Sequence, residues 1–200
     1  FFINLMMNNS KQKVHDFWNN SSCGEELYLS GENKESFTNH SEIRYQLEPY
    51  IQDFADFESY KGKKVLEIGL GLGADHQKYA EAGANLTGID LTQRAADYTK
   101  SRLNCFGLSS KISVGDAENL EFPDEVFDLV YSWGVIHHSP DTIKCVEEIW
   151  RVLVPGAEAK IMIYHKWSIM GIMLWIRYGL LILRPWRSLD YIYANYLESF

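Results

Sequence analysis

Along the middle of the chain, short apolar runs alternate with longer stretches whose apolar residues recur at helical spacing. Val65-Leu66-Glu67-Ile68 has the length and content of a short buried strand, entered through the turn Lys61-Gly62-Lys63-Lys64. Ala74 to Ala82 reads as a helix stopped by Gly83, and Asn85 to Ile89 as a second strand ending at Asp90. Thr92 to Phe106 is a helix ended near Gly107, followed by a third strand, Lys111 to Val114, and a fourth, Phe127 to Ser132. Asp141 to Leu153 is an amphipathic helix terminated by Pro155-Gly156, and Ala159 to Tyr164 supplies a fifth strand. Strands joined by helices need right-handed crossovers, so the pattern predicts an α/β three-layer sandwich with a mainly parallel sheet covered on both faces.

The flanks behave differently. Residues 1–60 open polar and rich in Asn and Ser. They then take on a helical pattern with Ile43, Leu47, Tyr50, Ile51 and Phe54, capped by Ser41 and kinked at Pro49. They are expected to form an N-terminal helical cap on a core of residues 61–165. In the remaining segment, 166–200, an apolar run from Trp167 to Leu183 is broken only by Ser168, Gly171, Arg177 and Gly179. The run is shorter than the ~20 residues of a membrane span and carries a charge, so a buried helix or lid is the first reading and an interfacial membrane helix the second. Asp190 to Phe200 reads as more helix or loop.

Composition narrows the partners. The net charge of -8 excludes a general phosphate-backbone binder, and no nucleic-acid partner is expected. Cys23, Cys105 and Cys145 are odd in number and form no CxxC pair, which speaks against a disulfide framework or zinc site and for a reducing compartment. No basic segment with a cleavage site opens the chain, so the expected location is cytoplasmic, with peripheral membrane contact through 167–187 as the variant reading.

The candidate chemistry begins at Glu67-Ile68-Gly69-Leu70-Gly71-Leu72-Gly73, which joins the first strand to a helix. The chain turns sharply there and must approach a ligand closely, and only glycine does both without a Cβ clash. Open parallel sheets bind ligands at this end of their strands. Gly69-Leu70-Gly71-Leu72-Gly73-Ala74 also fits the dinucleotide pattern, so the turn alone names a nucleoside-type cofactor and leaves its identity open. Asp90 closes the second strand, where a carboxylate can accept from ribose hydroxyls or cap the helix after Leu91-Thr92. An acid in Gly115-Asp116-Ala117-Glu118 can accept from an exocyclic amine such as that of adenine.

Taken together, Val65 to Asp90, Gly115 to Phe122, Phe127 to Pro140 and Glu147 to Gly156 resemble the successive motifs of the class I S-adenosylmethionine-dependent methyltransferases, nearest the small-molecule "methyltransferase domain 11" type. The resemblance implies a Rossmann-like sheet of seven strands in the order 3-2-1-4-5-7-6, of which five are visible here. It implies S-adenosylmethionine as cofactor, S-adenosylhomocysteine as product and no metal. It places Glu67 near the cofactor's amino end, with Gly69, Gly71 and Gly73 beneath it. Asp90 falls on the ribose diol, Leu91 against the adenine, and Asp116 and Ala117, with Glu118 beside them, at the base. Ser132 to Val135, Trp133 included, fall at the edge where sulfonium and acceptor meet. Tyr28, His40, Arg44 and Tyr45 fall in the segment that covers the cofactor in this family, each read as surface or packing. The chain departs from the family at Gly156-Ala157, where Gly-Gly is usual; this costs stability only if Ala157 takes a positive φ.

Methyl transfer to a small-molecule acceptor is an in-line displacement in which positioning supplies much of the rate. A hydroxyl or protonated amine acceptor would need a general base, for which His137 and His138 are the candidates, with a structural role in their loop as the competing reading. The adjacent histidines lack the third ligand of a metal site. Trp133, Trp167 and Trp175 would suit a sulfonium or an apolar acceptor, and core packing explains Trp133 equally well. Two other functions use part of this inventory. An NAD-dependent oxidoreductase keeps the turn and Asp90, although no Tyr-Lys pair at helical spacing follows strand four. A non-catalytic cofactor-binding or membrane-surface module is the other. No candidate for strands six and seven follows Tyr164, so the chain is expected to be C-terminally truncated. Strand five is then a bare edge, and a homo-oligomer is expected through it or through the Trp167–Leu183 helix.

Overall fold

Val65, Leu66 and Ile68 are all buried in the computed structural model, which is what a short strand covered on both faces requires. The structure describes residues 2–22, 25–165 and 168–192. In chain order its elements are α1 (Phe2–Asn20), α2 (Glu25–Tyr28), α3 (Lys34–Leu47), α4 (Tyr50–Ala55), β1 (Lys64–Ile68), α5 (Ala74–Glu81) and β2 (Asn85–Asp90). Then come α6 (Gln93–Phe106), β3 (Lys111–Val114), β4 (Phe127–Trp133), α7 (Thr142–Val152), β5 (Leu153–Met162), α8 (Ile169–Trp175) and α9 (Leu189–Ile192). The sheet order is β3-β2-β1-β4-β5, every pair parallel, as alternation of strand and helix demands.

Side chains alternate across this sheet and build two cores. Leu66, Ile68, Ile89 and Val130 pack with Cys145, Ile149 and Val152 of α7 on one face. Val65, Leu86, Leu129 and Tyr131 pack with Tyr79 of α5 and with Ile51, Ala55, Phe57 and Tyr60 on the other. The helices start and stop on identifiable chemistry. Thr92 caps α6 by accepting from the Ala95 amide at 3.2 Å, and Gly107, φ 69°, ends it. Asp141 caps α7 by accepting from the Lys144 amide at 2.9 Å.

Element boundaries differ from the sequence-based expectation in the N-terminal segment and at β5. The N-terminal helix starts not at Ser41 but after Asn33, whose side chain accepts from the Ser36 amide at 2.9 Å. It ends at Leu47, because the ring of Pro49 disfavours helical geometry at Glu48, and α4 starts afresh at Tyr50. β5 begins at Leu153, directly after α7, instead of at Ala159. Pro155-Gly156 sits in an irregular stretch where pairing shifts from Phe127 with Leu153 to Leu129 with Glu158. Gly156 absorbs the kink with φ 84°, and Ala157 is not among the positive-φ residues, so the missing second glycine carries no backbone strain.

The chain divides into two compact units, one ending at Ile163 and the other beginning at Tyr164. The helices before residue 61 belong to the first unit, burying Phe37, Ile51 and Phe57. β5 has no outer neighbour among the described residues, which is the edge through which self-association is expected. In the second unit, α8 runs into a π-type turn, Ile176–Leu180. Among the described residues no helix is long and apolar enough to cross a membrane. Cys145 is a buried free thiol and Cys105 a half-buried one. Cys23, Trp167 and all of Asp190–Phe200 beyond Ile192 lie outside the described residues.

Candidate functional site

The glycines of the β1–α5 turn share a positive φ and differ in what surrounds them. A Cβ on Gly69, φ 83°, would lie 2.1 Å from a methyl of Val135, and one on Gly73, φ 73°, 2.8 Å from the Thr99 hydroxyl. These two let the loop pack against the segment after β4 and against α6. Gly71, φ 51°, has nothing within 4 Å of where its Cβ would stand. It faces open space. Asp90 clasps this loop from the end of β2. One carboxylate oxygen accepts from the amides of Leu70 at 2.8 Å and Gly71 at 3.4 Å, and the other from the Thr92 amide at 2.9 Å and hydroxyl at 2.8 Å. Burial raises the Asp90 pKa, and these donors oppose that rise. Leu91, next in the chain, is half-buried.

Beneath the loop lies a buried polar layer. Glu67 is 3% exposed and meets His76 Nδ1 at 2.8 Å, while His76 Nε2 meets the Ser110 hydroxyl at 2.6 Å. Burial pushes the Glu67 carboxyl well up and the His76 imidazole down to about 3. Asp75, in the first turn of α5, accepts from Arg44 Nε at 3.1 Å and Nη2 at 2.7 Å, from the Tyr45 hydroxyl at 2.9 Å and from the Tyr131 hydroxyl at 2.9 Å. Burial raises its pKa, but the charge of Arg44 and these hydrogen bonds outweigh it, and Asp75 titrates below the ordinary carboxylate range. His76, Ser110, Asp75 and Tyr131 carry no signal in the sequence. Each is one polar residue on an otherwise ordinary helix, strand or turn, and only folding brings its partner to it.

His40 and Arg102 form a second buried pair. Both terminal nitrogens of Arg102 donate toward His40 Nδ1 at 3.3 Å, and Arg102 also donates to the carbonyls of Leu72, at 2.7 Å, and Phe37. Burial first, then the charges of Arg102 and Arg44, lower His40 to about 4; Asp75 opposes weakly. A folded pKa below the unfolded one means that the unfolded chain takes up the proton first as pH falls. Stability is therefore complete above about pH 6.5 and lost toward pH 4, at about 1.4 kcal/mol per pH unit and roughly 3 kcal/mol in all. Urea midpoints measured from pH 7 to 4.5 are expected to fall steeply in the parent chain and less steeply in His40→Gln; an equal slope in both excludes His40 as the cause.

The acids after β3 come together with α1. Lys11 Nζ donates to Asp116 Oδ2 at 2.6 Å and to Glu118, and the Glu118 amide donates to Asp116 Oδ1 at 2.9 Å. Glu118 also accepts from the Ser139 hydroxyl and, at 3.1 Å, from the Asp141 amide, which ties it to the loop after β4. Burial lowers the Lys11 pKa, but hydrogen bonds and charge from both acids raise it overall. Ala117, half-buried, packs against the core beside α7. Lys11 was not expected from the sequence, since it precedes its partners by more than 100 residues.

His137 and His138 occupy a single 3-10 turn after β4, their rings 4.0 Å apart, with His138 5.4 Å from the Trp18 ring of α1. Trp133 ends β4 on the face of Tyr131 and meets Tyr50 at 5.8 Å and Phe54 at 5.5 Å, within an aromatic cluster partly open to solvent. The structure thus joins the glycine loop to Asp90, and Asp116 to Glu118 and Ser139. It sets Trp133 among aromatic neighbours from α4. Among the described residues, no group of three His, Cys, Asp or Glu is arranged to hold a metal ion.

Known proteins resemble this chain in sequence and fold. A family model described as a methyltransferase domain matches residues 66–160. Phosphoethanolamine N-methyltransferase 2 of Caenorhabditis elegans is 36% identical over 118 residues, 58% of this chain and 26% of that protein. Sterol 24-C-methyltransferase erg6 of Aspergillus fumigatus is 35% identical over 56% of this chain and 32% of its own length. A probable tocopherol O-methyltransferase of rice chloroplasts is 40% identical over 48% of this chain and 28% of its own length. The match therefore spans about a quarter to a third of these relatives. The crystal structure of the YcgJ protein from Bacillus subtilis superposes with a TM-score of 0.50 at 27% identity, covering 52% of this chain and 47% of that one. A protein from Pyrococcus horikoshii OT3 shares the fold, with a TM-score of 0.53 at 23% identity over 68% of this chain and 62% of that one.

Proposed function

We propose that this chain, whose residues 66–160 match a methyltransferase-domain model, belongs to the class I S-adenosylmethionine-dependent methyltransferases and transfers a methyl group from S-adenosylmethionine to a small-molecule acceptor by in-line displacement. The observation that carries the reading is the Gly69–Gly73 loop held by the strand-end acid Asp90, with open space beside Gly71. The residues present fit the cofactor. Asp116 uses two of its roughly four acceptor positions, on Lys11 and the Glu118 amide, which leaves room for an adenine amine. Asp90 already accepts four hydrogen bonds, so ribose hydroxyls reach it only by displacing the Leu70 and Gly71 amides, which are then free to donate to the ligand. When bound, S-adenosylmethionine supplies a methyl group already activated on a sulfonium. The chain's own contribution is to hold that end of the ligand still and to align the acceptor behind the methyl.

The acceptors named for the relatives range from phosphoethanolamine to sterol and tocopherol. The aromatic cluster of Trp133, Tyr50 and Phe54 supports an apolar acceptor over a polar one. The test is calorimetry with S-adenosylhomocysteine and NAD in parallel. Asp90→Ala is expected to weaken S-adenosylhomocysteine binding by about 1–3 kcal/mol, the cost of leaving buried hydroxyls unpaired. Tight NAD binding with no response to S-adenosylhomocysteine would overturn the reading in favour of an oxidoreductase.

A further inference from the structure

The unit beginning at Tyr164 has a composition unlike the rest of the chain. None of the 27 acidic residues falls between 159 and 189, while Arg177, Arg184 and Arg187 all do. The chain as a whole carries a net charge of -8, so this is a local reversal of sign. The same stretch exposes its apolar side chains. Ile169, Ile172, Met173 and Leu180 stand out from the helical part, and Trp186 is 76% exposed.

The backbone shows how this surface is built. The π-type turn closes with Leu181 N donating to Ile176 O at 2.8 Å, and the chain then reverses, with Arg184 N donating to Gly179 O at 2.7 Å. Trp175 Nε1 donates to the Arg187 carbonyl at 3.0 Å, and Arg187 Nη1 to the Tyr178 carbonyl at 3.1 Å, which fastens the two limbs together. The tip of the reversal is Leu181-Ile182-Leu183. Tips of this kind are ordinarily polar or glycine. Here Leu181 is 72% and Leu183 81% exposed, and Leu183 holds a left-handed φ of 58° that leucine adopts only at a cost. A strained leucine held out at the head of a fastened turn is poorly explained by packing within the unit.

We propose that this turn is a docking element for an anionic lipid surface, with Leu181, Ile182 and Leu183 entering the acyl boundary and Arg177 and Arg184 meeting lipid phosphates. The helical stretch from Ile169 to Leu180 is about 18 Å long, well short of the ~30 Å hydrocarbon core, so the element lies in the interface and does not span it. Trp186 on the exposed side has the amphipathic character favoured at headgroup level. Charge selects the partner: Arg177 and Arg184, in a stretch without an acid, favour an anionic bilayer over a neutral one, and the net charge of -8 opposes the approach of a second copy of the chain. The lipid contact is independent of methyl transfer, since it uses no residue of the glycine loop.

Vesicle co-sedimentation of the full chain tests it, using phosphatidylcholine alone and phosphatidylcholine with roughly one-third phosphatidylglycerol. The chain is expected to pellet with the anionic vesicles, to stay in solution with the neutral ones, and to be released by high salt. Arg177→Gln with Arg184→Gln is expected to weaken binding on the order of thirtyfold, about fivefold for each charge. Leu181→Ser with Leu183→Gly removes the inserting side chains, relieves the backbone at 183 and should weaken binding at least about tenfold. Heat denaturation of both double variants verifies that they fold, since every altered side chain but Leu183 is merely exposed and Leu183 is replaced by the residue its φ suits. No anionic binding by the parent chain, or equal binding by the variants, overturns the proposal. So does concentration-dependent self-association that the Leu181→Ser/Leu183→Gly variant abolishes, because a second copy would then be what covers the turn.

Discussion

Gly71→Val is expected to abolish S-adenosylhomocysteine binding, a loss of more than about a hundredfold, while the chain still folds. The three glycines of the loop make this a sharp test. At Gly69 and Gly73 an added Cβ collides with Val135 and Thr99, so substitution there damages packing and binding together. At Gly71 there is nothing within 4 Å to collide with. The fold bears only the cost of a side chain at φ 51°, roughly 1–2 kcal/mol. For a chain of this size that lowers the melting temperature by about 2–8 °C. The isopropyl group instead fills the space above the loop, and at about 1.4 kcal/mol per tenfold a loss of some 3 kcal/mol exceeds the hundredfold mark. Gly71→Ala should fall between parent and Val in affinity at nearly the stability of the Val variant. Calorimetric affinity within threefold of the parent for Gly71→Val would place the ligand elsewhere.

The largest effect on stability is expected at Asp75. Its carboxylate is met by four donors from Arg44, Tyr45 and Tyr131, and it is 4% exposed. Asp75→Ala leaves a mostly buried guanidinium without its counter-charge and two phenols without an acceptor, and should cost about 3–5 kcal/mol. The melting temperature should drop by on the order of 10 °C. Asp75→Asn retains an acceptor for one tyrosine and loses the charge, so it should land between the two. A melting temperature for Asp75→Ala within a few degrees of the parent would show that the network contributes little net stability and serves only to orient the loop above it.

The two experiments bear on different parts of what could be read in advance. The strands, their parallel order and the loop after β1 were legible, because apolar runs, glycine and strand-end acids are local signals. The start of α3 at Asn33 was not, since Ser41 and Asn33 both satisfy the capping rule and burial of Phe37 decides between them. The early start of β5 was hidden by Pro155-Gly156, which ordinarily ends an element but here kinks a strand at the sheet's edge. Arg44 and Tyr45 read as surface residues because nothing near them in the chain announces a buried acid. Lys11 could not be connected to Asp116 at all.

The sequence by itself determined the class of fold and the position of the glycine loop, because those follow from periodicity and from residue types that only one backbone geometry tolerates. Tertiary structure alone decided which glycine faces open space and which two face protein. It decided that Glu67 and Asp75 lie beneath the loop on His76 and Arg44, and that the apolar turn after α8 points its leucines outward. The physical reason is the same in each case. A glycine, a carboxylate or a leucine has its local preferences written in the chain, but its energy in the folded state is set by what stands within a few ångströms, and those neighbours come from distant sequence.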